Sequence, residues 1–313
     1  MGKTIRDAYG NSLLKYGKEN LDVVVLDADV SSSTKSGLFG KVYPERFFNV
    51  GIAEANMVGM AAGLAVTGKI PFINTFAVFI STLGLLGARA FGSYSGLNMK
   101  FMGGYGGLSD AYDGPSHHSL EDIAIMRSLP GFQVFVAADE YQVDWLVKNA
   151  IEQKGPMYIR LSRDAGETVY HEKSNFETGK GVILNEGNDA TIISCGIMTG
   201  QAVLAAQLLE KEDIHIRVID MFCIKPIDKD IIIESVQKTG VIVTAEEHSI
   251  IGGLGGSVAE VISGNDCSAI QEFVGIKDMH TECGSYAQLF EKYELDVNAI
   301  VSRVKKAIAR KSF

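Results

Sequence analysis

Residues 111–131 read AYDGPSHHSLEDIAIMRSLPG. Asp113 and the adjacent pair His117 and His118 stand around a Gly-Pro turn signal, with Glu121 and Asp122 following. Adjacent histidines beside an aspartate, in a loop fixed by Gly and Pro at a sheet edge, are costly to bury without purpose, and such loops are where α/β sheets bind ligands. No further His or Cys stands at ligand spacing, so no metal site is expected. The bland alternative is a capped helix after a loop, with Ile123, Met126 and Leu129 facing inward.

A second acid stands apart. In NVGIAEANMVGMAAGLAV, residues 49–66, Glu54 is the sole charge and sits where an apolar strand turns into a helix. A first-turn acid gains about 0.3–1 kcal/mol from the helix dipole, and taken alone that explanation suffices. Arg163 in LSRD ends a strand-like run; its planar fork suits either a structural carboxylate or an anionic substrate. GGLGGSVAEVI, from Gly252, lacks the G-x-G-x-x-G spacing of a dinucleotide turn, which leaves tight strand-to-helix packing as its reason.

These residues need elements to carry them. DVVVLDAD, PFINTF, NMKFMGG, FQVFVAAD and MYIRLS are near-continuous apolar runs, as expected of strands covered on both faces. Helical patterns separate them at about 4–17, 53–66, 79–95, 119–128 and 140–153. After a polar stretch a second series begins with ATIISCG, MTGQAVLAAQLLEKE, IRVIDMF, DKDIIIESVQK, GVIVTAEEH and GGLGGSVAEVIS. The alternation predicts an α/β chain of two doubly wound sheet domains, 1–165 and 185–313, joined by a linker over 166–184.

Composition bounds the function. The 313 residues carry a net charge of −9 and 46% hydrophobic side chains, which supports two cores and argues against a nucleic-acid-backbone binder. The C-terminal cluster Arg303, Lys305, Lys306, Arg310 and Lys311 is read as a solvated helix face. The charge-free stretch 70–88 has spanning length, but Pro71, Asn74, Thr75, Ser81 and Thr82 interrupt it, so no membrane span is expected. The N-terminus shows no secretory signal, and Arg6 breaks the acylation motif that Gly2 would begin. Four cysteines without a C-x-x-C pair indicate reduced thiols and a cytoplasmic protein.

Together, NVGIAEANMVGMAAGLA, DGPSHHSLEDIAIMRSLP, LSR and EEHSIIGGLGGSVAEVI occur in the order found in the C-terminal half of transketolases, and the resemblance covers essentially the whole chain. It is most similar to the C-terminal subunit of a split, two-gene transketolase, with a pyrimidine-binding domain followed by a transketolase C-terminal domain. The resemblance implies a thiamin diphosphate enzyme that moves a two-carbon ketol unit from a ketose to an aldose. By the same resemblance Glu54 hydrogen-bonds the cofactor's aminopyrimidine, and Phe76 and Phe79 stack on it. Asp29 lies near the thiazolium, Asp113 and His117 hold donor hydroxyls and shuttle protons, and Arg6, Ser33 and Arg163 grip an acceptor phosphate. Burial should raise the pKa of Glu54 and the helix N-terminus lower it.

Two departures stand out. Where the family places a phosphate-binding histidine, MGGYGGLSDAYDG offers Tyr105, a neutral phenol, so the acceptor is expected to be an unusual sugar, modified or nucleotide-linked. The GDG signature of the family's diphosphate-binding half does not occur in these residues, so the resemblance implies that this half and its Mg²⁺ come from a partner. The expected assembly is an α₂β₂ heterotetramer with an N-terminal transketolase subunit. The alternatives are a 2-oxoacid dehydrogenase β subunit, a deoxyxylulose phosphate synthase-like enzyme, a non-catalytic partner and, weakest, a nucleotide-binding module.

Overall fold

A computed structural model describes residues 4–311. Gly2, considered above for acylation, lies outside them.

Twelve strands form two sheets. β1 (Val23–Asp27), β2 (Phe47–Asn49), β3 (Ile70–Phe76), β4 (Lys100–Gly104), β5 (Gln133–Val136) and β6 (Met157–Arg160) belong to the first. β7 (Val182–Asn185), β8 (Ala190–Ser194), β9 (Ile216–Asp220), β11 (Val241–Ser249) and β12 (Ile270–Ile276) form the second, and β10 (Cys223–Lys225) lies between β9 and β11 in the chain. The first sheet has the order β10-β5-β6-β4-β3-β1-β2, parallel except for β10, which runs antiparallel to β5. Its edge strand is therefore supplied by the second half of the sequence. The second sheet runs β12-β11-β8-β9-β7, with only β7 antiparallel. Every residue of β3 and β4 is buried, the consequence of helices on both faces of a parallel sheet.

The apolar cores are not confined to one sheet each. One cluster joins Leu26, Ile73 and Phe101 of the first sheet to Ile219, Ile242 and Val258 of the second half. Polar anchors reinforce the seam. Arg160, at the end of β6, pairs with Asp122 at 3.0 Å and donates to the carbonyl of Glu247 at 2.7 Å. Glu246 accepts from the N–H groups of Leu254 and Gly255, so the buried acid caps the helix Leu254–Ser263. Gly253 of GGLGGS makes room for it, since a Cβ there would overlap the Glu246 carboxylate, while Gly252 packs on Ala124 and Gly255 on Phe273. Packing, as expected, accounts for that motif.

Other expectations need adjustment. The helix expected over 79–95 is broken into Ala77–Thr82, Leu85–Gly87 and a π-helical stretch Ala88–Tyr94. At the break, a side chain on Gly84 would press on the carbonyl of Ile80 and on Val58. The helix expected from 119 starts at Asp122, because Ser119 is held in a bridge to Gly106 and Gly107. The polar stretch after β6 is irregular but pinned: Asp139 caps the helix Glu140–Glu152 through one oxygen and accepts the N–H groups of Val169 and Tyr170 through the other. β7 begins inside the segment read as linker. The basic residues on the helix Val297–Lys311 are not merely solvated, since Arg303, Lys306 and Arg310 converge on Glu272 and Lys305 pairs with Glu212. Among the described residues no helix is long and apolar enough to cross a membrane. All four cysteines are free.

Candidate active site

The named residues gather at the C-terminal ends of the parallel strands, where open α/β sheets bind ligands. Glu54 opens the helix Glu54–Val66 and is 4% exposed. Its Oε1 accepts the hydroxyl of Thr75, near the end of β3, at 3.1 Å. Phe76 ends β3, and Phe79 follows on the next helical turn; their rings lie 5.9 Å apart and nearly parallel. The edge of His117 meets Phe79 at 5.3 Å and Phe76 at 6.1 Å. Phe76, Phe79 and His117 thus form an aromatic ledge with an imidazole against it, and the buried acid is bonded to Thr75, the residue before Phe76 in β3.

Tyr105 also stacks on Phe76, with ring centres 4.4 Å apart. Tyr105 follows β4 with φ +58, a conformation that costs a bulky residue roughly 1–3 kcal/mol and persists only where its surroundings enforce it. Arg6 Nη1 donates to its hydroxyl at 2.6 Å. The guanidinium carbons of Arg6 and Arg163 lie 5.8 and 5.5 Å from its ring centre. Arg163 also faces Asp110, 3.6 Å away.

Asp110 was not singled out in the sequence. It is 1% exposed, and its Oδ2 has no hydrogen-bond partner. Burial pushes its pKa up to about 6, and neighbouring Asp113 pushes the same way, against His117 and Arg163. Asp110, Asp113 and His117 have potential ligand atoms within 4.8 Å of one another. The third member is a carboxylate rather than the His or Cys sought in the sequence, and Arg163 beside it disfavours a cation.

The second half of the chain braces this loop. The N–H of Leu108 donates to Glu247 Oε1 at 2.7 Å, and the N–H groups of Ser249 and Gly284 donate to the carbonyls of Leu120 and Ala111. Gly107 (φ +67) packs on Glu247 and Gly114 (φ +79) on Cys283, and a side chain at either would collide. The adjacent histidines divide their tasks. His117 is half-buried on the ledge, while His118 is buried, with Nδ1 2.6 Å from Thr281 Oγ1 and its pKa lowered chiefly by burial. Only His117 faces the site.

Asp29 and Ser33 are held differently. Asp27, buried at the end of β1, accepts from the N–H of Val30 and the hydroxyls of Thr34 and Ser36, which sets the turn carrying both. Asp29 accepts from Asn49 at 2.7 Å, and the N–H of Ser33 bonds Val30. Among the described residues neither makes a hydrogen bond or ring contact with the Phe76–Tyr105–His117 group.

Two α/β sheets with an acid and an aromatic ledge at the strand ends define a class of ligand-binding α/β enzymes, and sequence comparison narrows it. Residues 1–168 match the transketolase pyrimidine-binding domain and residues 179–300 the transketolase C-terminal domain. The chain belongs to the transketolase family. It is 38% identical to the 6-deoxy-6-sulfo-D-fructose transketolase subunit SqwH of Clostridium sp. strain MSTE9, over 99% of this chain and 96% of that one. It is 36% identical to an apulose-4-phosphate transketolase subunit of Phocaeicola vulgatus, over 94% of both chains. Among solved structures it is similar to a split-gene transketolase in an inactive β4 tetramer, with 47% identity, a TM-score of 0.89 and 99% of both chains covered.

Proposed function

We propose that this chain is the C-terminal subunit of a two-chain transketolase that moves a two-carbon ketol unit from a ketose to an aldose carrying an unusual terminus. The observation that carries the reading is Glu54, buried at a helix start and bonded to Thr75, the residue that precedes Phe76 of the Phe76–Phe79–His117 group.

The residues fit the cofactor that the family implies. Phe76 and Phe79 offer a flat apolar face for the pyrimidine of thiamin diphosphate. Glu54, with Oε1 engaged by Thr75, would use Oε2 to hold a proton at a ring nitrogen. When bound, thiamin diphosphate supplies the carbon nucleophile that takes up and releases the two-carbon unit. Asp113 and His117 bind and orient sugar hydroxyls there, and His117 moves their protons. The apolar ledge excludes water from the reacting end. Asp29 would stand near the thiazolium end, and Arg6, Ser33 and Arg163 near the acceptor's anionic terminus.

Mg²⁺ and the diphosphate belong, in this reading, to an N-terminal-half partner in an α₂β₂ heterotetramer in the cytoplasm. An exposed apolar face supports the partner. On the helix Glu54–Val66, Gly59, Met60, Gly63 and Val66 face outward, and the adjoining segments expose Leu83, Leu86 and Tyr94. Exposed apolar side chains gathered on adjoining segments suit an interaction surface. The division into 1–165, linker and 185–313 is also part of the reading, with β10 crossing between the sheets. The test is co-purification with an N-terminal-half subunit and assay of ketol transfer; turnover by this chain alone would refute the partner requirement.

A further inference from the structure

The relatives that name a sugar name two different termini, a sulfonate and a phosphate. The charges around Tyr105 choose between them. Arg6 and Arg163 bring two positive charges to one face of the site. Asp7, beside Arg6, is taken up by Lys35 at 3.5 Å. Asp110 sets a buried carboxylate 3.6 Å from Arg163, and Asp113 adds a second acid nearby. Tyr105 brings a donor without a charge. Because its oxygen accepts from Arg6 Nη1, its proton is free to be donated to a ligand oxygen. The Nε atoms of Arg6 and Arg163 are buried without hydrogen-bond partners.

We propose that Tyr105 and Asp110 set the arginine-lined end of the site for a singly charged terminus, such as a sulfonate or carboxylate, in preference to a phosphate dianion. The inference rests on the transketolase reading above. Asp110 offsets the Arg163 guanidinium and Asp113 adds a second acid nearby, so at most the Arg6 charge is left for a ligand, enough for a monoanion and not for a dianion. A dianion brought into the same partly buried site would keep an uncompensated charge, which is costly away from water. Burial pushes the Asp110 pKa up to about 6, so its carboxylate is ionised at neutral pH and above. The strained backbone of Tyr105, held by Phe76 and both arginines, fixes the hydroxyl in place.

The reconstituted complex should be assayed with acceptors that share a three-carbon hydroxyaldehyde and differ in terminus: glyceraldehyde, glyceraldehyde 3-phosphate, and the 3-sulfonate and carboxylate analogues. The sulfonate or carboxylate should exceed the phosphate in kcat/KM at pH 7.5, and which of the two leads separates a tetrahedral from a planar preference. Normalised to glyceraldehyde, Tyr105→His and Asp110→Asn should each shift the ratio toward phosphate, mainly through KM. The shift should be roughly tenfold, the gap between a neutral and a charge-assisted hydrogen bond. A wild-type preference for phosphate, or a ratio unmoved by both variants, overturns the proposal. Turnover of glyceraldehyde without discrimination defeats this inference alone, whereas no turnover of any acceptor defeats the transketolase reading. In that case thermal-shift titration of the chain with the sulfonate and phosphate compounds decides: protection by the sulfonate at lower concentration supports the charge assignment, and equal or better protection by phosphate refutes it.

Discussion

The hydroxyl of Thr75 donates to Oε1 of Glu54 at 3.1 Å, joining the end of β3 to the first residue of the following helix. One bond fixes the acid against the strand whose next residue, Phe76, begins the aromatic ledge. The position of Glu54 is therefore set from two directions: the helix start holds its backbone and Thr75 its carboxylate.

Replacing Glu54 with Gln keeps shape and burial but changes what it can do with a proton. In the reconstituted complex kcat should fall by about 10²–10⁴, the range of a single acid–base group. The melting temperature should move little. Thr75→Val should fall between Glu54→Gln and wild type, since it frees the carboxylate without removing it. An unchanged rate in Glu54→Gln would favour a non-catalytic partner.

Arg160 and Asp122 are both buried, and the pair locks the loop and the second half of the chain to β6. Arg160→Met leaves Asp122 as an uncompensated buried acid and should cost about 3–5 kcal/mol. Denaturant midpoints measure this, and adding Asp122→Leu should recover part of the loss. Equal stability of the single variant and wild type would show that the pair does not hold the seam.

Glu247 carries a pH signature. Its pKa is pushed up to about 7, chiefly by burial, against Arg160 and the donors Leu108 and Tyr286. The folded chain keeps this proton longer than the unfolded chain, so the contribution is fully present below about pH 4.5. It is lost as pH rises to about 7. Glu247→Gln should flatten the fall in stability across that window. Parallel curves for variant and wild type would show that Glu247 is not its source.

Gly63 and Gly253 separate surface from core. A Cβ on Gly63 meets nothing within 4 Å, whereas one on Gly253 overlaps the Glu246 carboxylate. Gly63→Ala should leave the isolated chain as stable, or firmer by up to about 1 kcal/mol from helix propensity, while weakening the complex with the partner. Gly253→Ala should destabilise the isolated chain by about 1–3 kcal/mol, the cost of overpacking. Calorimetry of the chain alone and titration with the partner distinguish the two.

The sequence shows most clearly what repeats locally. The apolar runs of β1, β3, β4, β5 and β6 were legible because burial on both faces leaves no alternation to confuse. β2 and β10 were not, because three-residue strands carry too little pattern, and β10 finds its partner across the whole seam. Asp113 and His117 could be read from their motif. Asp110 could not, since only the fold puts it against Arg163, although its spacing from Asp113 in SDAYDG was visible. The bracing of the loop by Glu247 and Thr281 depends on contacts between distant parts of the chain, which no local pattern carries.

Reconstitution tests the central claim most directly. This chain, purified alone and then mixed with an N-terminal-half subunit, is supplied with thiamin diphosphate, Mg²⁺, a ketose donor and an aldose acceptor, and ketol transfer is followed. The account predicts no transfer by the chain alone and transfer by the mixture, lost on Glu54→Gln. Turnover by the isolated chain, or an assembled complex whose rate does not depend on Glu54, would contradict it.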